Sequence, residues 1–311
     1  MTKKGRIVQS TGSWYEVAVE EGDNDNSIIE CRLPGRFRLG DNDMTNPIAV
    51  GDYVEISIND DGTGTIEEIK DRRNYITREA THGRQGEQLL ASNLDLAIVM
   101  QSVRKPKIKE GFINRFLVMC EAYELTPLIV INKMDLADEK AQNYVKQLGE
   151  LFEDLGYSFI TTSIKDEPSL EKLKSFLKGK TSAIIGPSGV GKTSVINHLD
   201  PNIDRPTGEI SDYSNKGKHT TTFAKLLALE FGGYLVDTPG IRELGLVNIE
   251  PWELSLFFPE MLEARNECKF NNCTHSHEPK CGVIQAFEEG NIDAGRYESY
   301  LQILESLEKD N

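Results

Sequence analysis

The chain has 311 residues, of which 38% are hydrophobic and 27% charged, and its formal net charge is −15 at pH 7. This length allows two or three domains. The negative charge excludes a protein that coats nucleic acid through bulk electrostatics, because such binding needs Lys and Arg to neutralise phosphates, so any RNA contact must come from local patches. The polar N-terminus and the lack of a long apolar run predict a cytoplasmic protein without a membrane span.

Residues 1–75 predict a small β-barrel. Short alternating or β-branched segments are separated by turn residues such as Asp60-Asp61-Gly62. The predicted strands cover residues 6–9, 14–19, 27–33, 52–58 and 63–69. Five strands in this length favour a barrel of the oligonucleotide-binding type, although other small barrels fit the same pattern.

A basic stretch in this region contains Arg32, Arg36, Phe37 and Arg38. Cations beside an aromatic ring are typical of RNA-binding loops, and a solvated loop with three arginines is the alternative interpretation. Residues 76–92 show no clear periodicity, and we predict a linker there.

Residues 93–245 predict an α/β nucleotide-binding domain. The apolar run at 94–100 is typical of a strand buried on both faces, helical spacing follows at 113–123, and residues 127–131 form another buried strand. This is a β-α-β unit, and further helices are predicted around residues 144–155 and 170–177.

The tetrapeptide Asn132-Lys133-Met134-Asp135 follows the second of these strands, in the position where GTPases read guanine. The Asp135 carboxylate can accept from N1–H and the exocyclic amine of guanine, two donors that adenine does not offer together. Asn132 is expected to hold the loop, and the stem of Lys133 to pack on the ring. Ser163, in Thr162-Ser163-Ile164, occupies the next base-contacting loop, where Ile164 replaces the more usual Ala.

A phosphate-binding loop follows the short apolar strand at 183–185. Its glycines let successive N–H groups point at phosphate oxygens, Lys192 reaches the outer phosphates, and Thr193 offers a hydroxyl to Mg²⁺. The predicted nucleotide contacts are Gly186, Pro187, Ser188, Gly189, Val190, Gly191, Lys192, Thr193 and Ser194.

Two switch segments are predicted after this loop. In Lys216-Gly217-Lys218-His219-Thr220-Thr221-Thr222, Thr221 is expected to complete the Mg²⁺ shell when the γ-phosphate is present. Strands at 224–229 and 234–236 lead to Asp237-Thr238-Pro239-Gly240, where Asp237 holds Mg²⁺ through water and the Gly240 N–H meets the γ-phosphate.

Three residues are candidates for catalysis: Lys192, His219 and Thr221. Ile241 stands where many GTPases carry a glutamine that orients water, and an apolar side chain cannot do this. We therefore predict slow unassisted hydrolysis, with His219 positioning the attacking water or, alternatively, contacting only RNA or solvent.

The order of these motifs indicates a circular permutation. The guanine loop precedes the phosphate loop, whereas in an ordinary GTPase it comes last. Surface termini tolerate such relinking, so all parts can keep their usual places in the sheet. The segment after Gly240 then leads directly into the C-terminal module, and we expect a γ-phosphate-dependent shift to be passed to that module.

Residues 246–311 predict a mainly helical zinc-binding domain. The spacing Cys268-x4-Cys273-x-His275-x5-Cys281 supplies three thiolates and an imidazole, which suit one structural Zn²⁺. His277 is the alternative fourth ligand, and reduced thiols without metal are the alternative to the whole site. Helices are predicted around 283–287 and 297–304.

Taken together, the sequence resembles the bacterial small ribosomal subunit biogenesis GTPase family (RsgA, also called YjeQ). The resemblance rests on the motif order, on Phe257-Phe258-Pro259-Glu260 before the zinc loop and on Arg296-Tyr297-Glu298-Ser299-Tyr300 after it. It implies a barrel, a permuted GTPase and a zinc module that dock on the 30S subunit and its 16S rRNA late in assembly. It also implies hydrolysis of GTP to GDP and phosphate on stimulation by the subunit, followed by release. We expect a monomer.

Two other function classes fit parts of the sequence. A P-loop ATPase would make Asp135 irrelevant to base choice. An RNA-binding assembly scaffold would use GTP only as a structural ligand and show no turnover with 30S subunits.

Overall fold

The first unit is a closed five-stranded barrel. The computed structural model describes residues 2–11, 13–19, 27–38, 46–79, 87–203, 224–237 and 249–310. The barrel strands are β1 (Thr2–Ser10), β2 (Tyr15–Val19), β3 (Ile28–Arg32), β4 (Tyr53–Ile58) and β5 (Gly64–Ile69). They pair in the order β1-β2-β3-β5-β4, and β4 pairs back to β1. Alternate apolar side chains such as Ile7, Val17 and Ile56 fill the interior, so the predicted barrel is confirmed.

A β-hairpin occupies the segment predicted as linker. Strands β6 (Tyr75–Glu79) and β7 (Glu87–Ser92) pair antiparallel, with a register shift between Ile76 and Thr77. Consecutive residues are buried in both strands: Ile76 and Thr77 in β6, and Leu89, Leu90, Ala91 and Ser92 in β7. The strands therefore lack the alternation of apolar and polar residues by which periodicity indicates a half-buried strand. The predicted domain boundaries stay a prediction.

The nucleotide domain is built on a mostly parallel sheet. Its strands are β8 (Leu96–Ser102), β9 (Pro127–Asn132), β10 (Ser158–Thr161), β11 (Thr181–Ile185), β12 (Lys225–Ala228) and β13 (Tyr234–Asp237). They lie in the order β10-β9-β8-β11-β13-β12, and only the pairing of β12 with β13 is antiparallel. The helices are α1 (Glu110–Ala122), α2 (Glu139–Asp154), α3 (Glu167–Leu177) and α4 (Lys192–Leu199). The guanine-loop strand β9 therefore precedes the phosphate-loop strand β11 in the chain, which confirms the predicted permuted fold.

The barrel continues the sheet of the nucleotide domain. Gln9 of β1 pairs with Lys225 of β12, which places all eleven strands in one sheet. Beside this junction the buried guanidinium of Arg6 donates to the Thr181 hydroxyl at 2.7 Å and to the Asn93 carbonyl at 3.2 Å. It also lies 5.1 Å from the ring centroid of Tyr53 and 5.5 Å from that of Tyr234. The junction is therefore tied by specific polar contacts.

The C-terminal module packs on α1. It contains 3-10 turns at Pro251–Phe257, Pro259–Met261 and Ala264–Glu267, followed by α5 (Gly282–Glu288) and α6 (Ala294–Asp310). Buried Arg296 forms an ion pair with Glu260 at 2.6 Å and donates to the Asn114 side chain at 2.9 Å, while Asn114 donates to Ser299 at 2.8 Å. This polar network fixes the module against the nucleotide domain.

Within the described ranges, no helix combines the length and apolar character that a membrane span requires.

Candidate nucleotide site and metal centre

The two loops predicted to bind the nucleotide lie side by side. Buried Asn132, at the end of β9, donates from Nδ2 to the Val190 carbonyl at 2.9 Å and accepts from the Thr162 hydroxyl at 3.0 Å. One side chain thus joins the guanine loop, the phosphate loop and the loop after β10. This juxtaposition follows from the topology, because parallel strands β8, β9 and β11 end at the same edge of the sheet.

The Asp135 carboxylate is held in an ionised state. Ser163 donates to Oδ1 at 2.8 Å, and Lys165 forms an ion pair with Oδ2 at 3.0 Å. The Ser163 hydrogen bond, and next the Lys165 contact, hold the pKa of Asp135 below its ordinary value. The Asp135 side chain is still 20% exposed, so its oxygens remain accessible to a ligand. The Ile164 side chain is exposed and leaves Ser163 in place.

The phosphate loop has the compact backbone that its glycines predict. A Cβ at Gly186 would collide with the Met100 carbonyl oxygen, and one at Gly191, whose φ is +100°, would collide with the Asn132 amide. The Lys192 ammonium lies across the loop and donates to the carbonyls of Gly186 at 2.6 Å and Pro187 at 2.9 Å. The loop therefore requires glycine at both positions, and Lys192 is at its centre.

The predicted Mg²⁺ ligands are only partly described. Thr193 is buried at the start of α4, and Asp237 ends β13, the strand that pairs with phosphate-loop strand β11. His219, Thr221 and Gly240 lie outside the described residues.

The predicted metal ligands of the C-terminal module form one cluster. The ligand atoms of Cys268, Cys273, His275 and Cys281 all lie within 4.8 Å of one another. His275 Nδ1 is 3.4 Å from Cys268 Sγ and 3.2 Å from Cys281 Sγ, and these two sulfurs are 3.7 Å apart. A tetrahedron with metal–sulfur bonds near 2.3 Å has edges of about 3.8 Å, so the cluster fits a four-coordinate metal ion.

The alternative ligand His277 points elsewhere. It is exposed, and its Nδ1 lies 2.8 Å from the Ser276 hydroxyl. The structure thus brings His275 to the thiols and leaves His277 at the surface.

Comparison with known proteins identifies the family. The model of the RsgA GTPase family matches residues 69–247, and the model of the RsgA N-terminal domain matches residues 4–66. The chain belongs to the RsgA GTPase family. It is 41% identical to the small ribosomal subunit biogenesis GTPase RsgA 2 of Bacteroides thetaiotaomicron, over 98% of this chain and 97% of that protein. It is also 41% identical to the RsgA protein of Christiangramia forsetii, over 99% of this chain and 97% of that one.

Solved structures agree with this membership. The crystal structure of YjeQ from Thermotoga maritima superposes with a TM-score of 0.80 at 36% identity, covering 99% of each chain. The structure of YloQ, described as a circularly permuted GTPase, gives a TM-score of 0.76 at 30% identity, covering 100% of this chain and 96% of that one. This RsgA-family chain is therefore a GTP-hydrolysing enzyme whose nucleotide domain is circularly permuted.

The sequence did not predict one contact in this RsgA-family site. The Lys133 ammonium donates to the Lys105 carbonyl at 2.7 Å and also to the Gly189 carbonyl. Pro106 lies beside Gly189, since a Cβ on that glycine would be 3.7 Å from the proline ring. The segment after β8 thus forms a wall of the site, and its position directly after a buried strand was the available signal.

Supporting residues of the metal cluster were also missed. Ser255 Oγ lies 3.0 Å from His275 Nε2, which fixes the ring and leaves Nδ1 facing the sulfurs. Tyr297 and Tyr300 donate to the carbonyls of His275 and Thr274 at 2.7 and 2.8 Å. Glu278 accepts from the backbone N–H groups of Thr274, Ser276 and His277. None of these pairings has a short sequence signature, because the partners meet only in the folded module.

Burial disfavours the charged forms of the side chains in this cluster. Burial lowers the pKa of His275 to about 4, so the imidazole is neutral, as a metal ligand must be. Burial raises the pKa of the Cys273 thiol to about 12. Burial also raises the pKa of Cys281, although the Ile284 N–H donates to its sulfur at 3.4 Å. The Gly282 N–H donates to the sulfur of Cys268 at 3.3 Å. Binding of a metal ion must therefore displace protons from buried thiols.

Proposed function

We propose that this GTPase binds the 30S ribosomal subunit, assists its late maturation, and hydrolyses GTP to GDP and phosphate when the subunit stimulates it. The observation that carries the proposal is the 2.9 Å bond from Asn132 to the Val190 carbonyl. It joins a guanine-reading loop to a phosphate loop in a chain whose full-length relatives are named small ribosomal subunit biogenesis GTPases.

Base selection is assigned to Asp135. Its ionised carboxylate accepts the N1–H and exocyclic amine of guanine, while Ser163 keeps it oriented. Adenine would leave the carboxylate with unmet acceptors next to a ring lone pair, which is the costly kind of mismatch. This favours the GTPase over the P-loop ATPase alternative. Asn132 holds the loop, and the stem of Lys133 flanks the base.

Phosphate binding is assigned to residues 186–194. Their N–H groups and the Lys192 ammonium neutralise charge on the phosphates, and Lys192 leaves its loop carbonyls to do so. Thr193, Thr221 and Asp237 would hold Mg²⁺, which neutralises charge on the β- and γ-phosphate oxygens when bound. Gly240 meets the γ-phosphate, and His219 positions the attacking water. Because Ile241 supplies no polar group for that water, turnover is slow without the subunit.

RNA contact is assigned in part to the barrel. The Arg32 guanidinium lies 4.2 Å from the ring centroid of Trp14 at the barrel surface. An arginine stacked on an aromatic ring is chemistry that binds unpaired bases. The 3-10 turn Gly35–Arg38 follows closely, and Phe37 packs half-buried against the core. These residues support 16S rRNA as the partner.

The metal of the C-terminal cluster is proposed to be one structural Zn²⁺. Three thiols and an imidazole select a soft or borderline ion, and four protein ligands leave no open position for catalysis. The chain is proposed to act in the cytoplasm as a monomer.

The decisive experiment measures GTP hydrolysis with and without purified 30S subunits. We expect slow turnover alone, strong stimulation by the subunit, and no comparable hydrolysis of ATP. Absence of turnover with 30S subunits would instead support the scaffold alternative. His219→Ala is expected to lower the stimulated rate while leaving GTP affinity unchanged, and a variant with full stimulated turnover would remove His219 from the mechanism.

A further inference from the structure

A strongly cationic loop lies beside the nucleotide site. This loop, residues 103–109 between β8 and α1, has the sequence Val-Arg-Lys-Pro-Lys-Ile-Lys. Arg104, Lys105, Lys107 and Lys109 are all exposed. Four cations in six consecutive residues, with no acidic residue among them, stand out in a chain with a net charge of −15. The cationic loop therefore creates a local positive patch on an acidic protein.

The backbone of the cationic loop is well anchored. Val103 is buried, and Ile108 packs against the main apolar core. The Ser102 hydroxyl donates to the Pro106 carbonyl at 2.8 Å, and the Lys109 N–H donates to the buried Gln101 side chain at 3.3 Å. The charged side chains are thus presented to solvent from a fixed frame.

Only one of the four cations of this loop forms an ion pair within the described part of the chain. Arg104 pairs with Asp138. Among the residues that the structure describes, Lys105, Lys107 and Lys109 have no carboxylate partner. Exposed lysines without partners contribute nothing to the fold, but they bind a polyanion by releasing its counter-ions.

The cationic loop also touches both nucleotide loops. Its Lys105 carbonyl accepts from the Lys133 ammonium at 2.7 Å, and its Pro106 lies beside Gly189 of the phosphate loop. A ligand bound to the cationic loop is therefore separated from the guanine and phosphate loops by a single residue contact.

We propose that the cationic loop binds the sugar–phosphate backbone of RNA in the 30S subunit, at the rim of the nucleotide site. This rests on the proposed function. A nucleic-acid strand supplies a row of phosphates for several separate lysines, whereas the phosphates of the nucleotide already have the glycine loop and Lys192. Through this contact the subunit can shift the guanine and phosphate loops and so change the rate of hydrolysis.

The test uses the double variant Lys107→Glu/Lys109→Glu, which avoids the residue that contacts Lys133. We expect binding to purified 30S subunits to weaken about tenfold, and the slope of log affinity against log salt to fall by about 2, as two phosphate contacts are lost. GTP affinity and unstimulated hydrolysis should stay unchanged. The matched control is Lys172→Glu/Lys178→Glu, which makes the same charge change at exposed positions on and just after α3.

A photocrosslinking amino acid in place of Lys107 identifies the partner. We expect a ribonuclease-sensitive crosslink to rRNA within the 30S complex. A crosslink only to ribosomal protein, equal weakening by both double variants, or altered GTP affinity with unchanged 30S binding would each overturn the proposal. If the wild-type chain itself does not bind 30S subunits, the proposed function fails as well, so the two failures are distinguishable.

Discussion

At the residue scale, the residue proposed to recognise guanine is distinct from the residues that hold it in position. Asp135 presents its carboxylate, Ser163 and Lys165 hold the charge in place, and Asn132 connects the guanine loop to the phosphate loop. The supporting contacts come from two other loops at the same sheet edge, Ser163 and Lys165 from the loop after β10 and Val190 from the phosphate loop. The base specificity proposed for Asp135 therefore depends on correct assembly of the sheet.

Exchanging Asp135 for asparagine tests base recognition. Asp135→Asn replaces one acceptor oxygen with a donor that faces the guanine N–H groups, so GTP affinity should fall by about 100-fold, equivalent to losing ~3 kcal/mol. Xanthosine triphosphate, which has a carbonyl in place of the exocyclic amine, should recover part of the loss. Fluorescent nucleotide titration measures both. Asp166→Asn, in the adjacent loop, is the control, and equal losses in the two variants would contradict the assignment.

Removing the Ser255 hydroxyl tests the metal centre. Ser255→Ala deletes the partner of His275 Nε2, so the ring loses its fixed orientation. Metal affinity should fall by about 10- to 100-fold, as measured by competition with a chromophoric chelator. Ser276→Ala, whose hydroxyl contacts His277, should leave the affinity unchanged. A chain that uses His277 as ligand would show the reverse order.

Site residues that belong to short sequence motifs could be predicted, whereas the residues that orient them could not. The phosphate loop and the thiol spacing each bring their groups together within a few residues, so chemistry could be assigned before folding. Ser255 lies 20 residues from His275, and nothing in its sequence surroundings marks it. Lys133 was predicted to flank the base, but its ammonium bonds to Lys105 and Gly189 depend on three strands ending together.

At the element scale, α1 is the helix on which the C-terminal module is mounted. Asn114 and Arg115 of α1 bond to Ser299 and Ser306 of α6. The module is therefore attached to the nucleotide domain by packing as well as through the chain after β13. Any shift passed along the chain from the nucleotide must be accommodated by this α1–α6 contact.

Truncating Arg296 tests that contact. Arg296→Ala leaves buried Glu260 without its counter-ion, so the free energy of unfolding should fall by about 3–5 kcal/mol. The double variant Arg296→Met/Glu260→Leu should recover much of it, because it removes both charges. Urea denaturation measures the change. Ser306→Ala, which loses two half-buried hydrogen bonds, from Arg115 and to the Ile303 carbonyl, should cost about 1–2 kcal/mol. Equal costs for Arg296→Ala and Ser306→Ala would contradict a buried ion pair.

Elements with a clear hydrophobic pattern were predicted well. The barrel strands, the buried strands at β8 and β9 and the helices after them match the sequence patterns within a few residues. The β6–β7 hairpin was missed, because consecutive residues of its strands, such as Leu89 and Leu90, are buried and the two-residue alternation is lost. The attachment of α6 to α1 was not predictable, since it depends on Arg296, Glu260 and Asn114 meeting across long sequence separations.

At the scale of the whole molecule, Arg6 ties three parts of the chain together. It joins the barrel to Asn93 after the hairpin and to Thr181, where the strand that carries the phosphate loop begins. Its charge is buried between Tyr53 and Tyr234. The position of the barrel is therefore linked to the base of the nucleotide site.

Replacing Arg6 with methionine should loosen the barrel. Arg6→Met keeps the length of the side chain but removes its donors, so we expect a loss of about 2–4 kcal/mol and faster hydrogen exchange in both β1 and β11. Lys4→Met, at an exposed position on the same strand, should change stability by less than about 0.5 kcal/mol. If exchange rises only in β1, the barrel and the nucleotide domain are not coupled through Arg6.

The pairing of Gln9 with Lys225 also bears on synthesis of the chain. The barrel strands are complete once residue 69 has been made, but the strand that joins them to the sheet is not complete until residue 228. At translation rates of ~5–20 residues per second, the gap is roughly 8 to 30 s. During this interval the end of β1 at Gln9 lacks its partner strand and is open to pairing with other chains, so the barrel docks onto the nucleotide domain only late in synthesis.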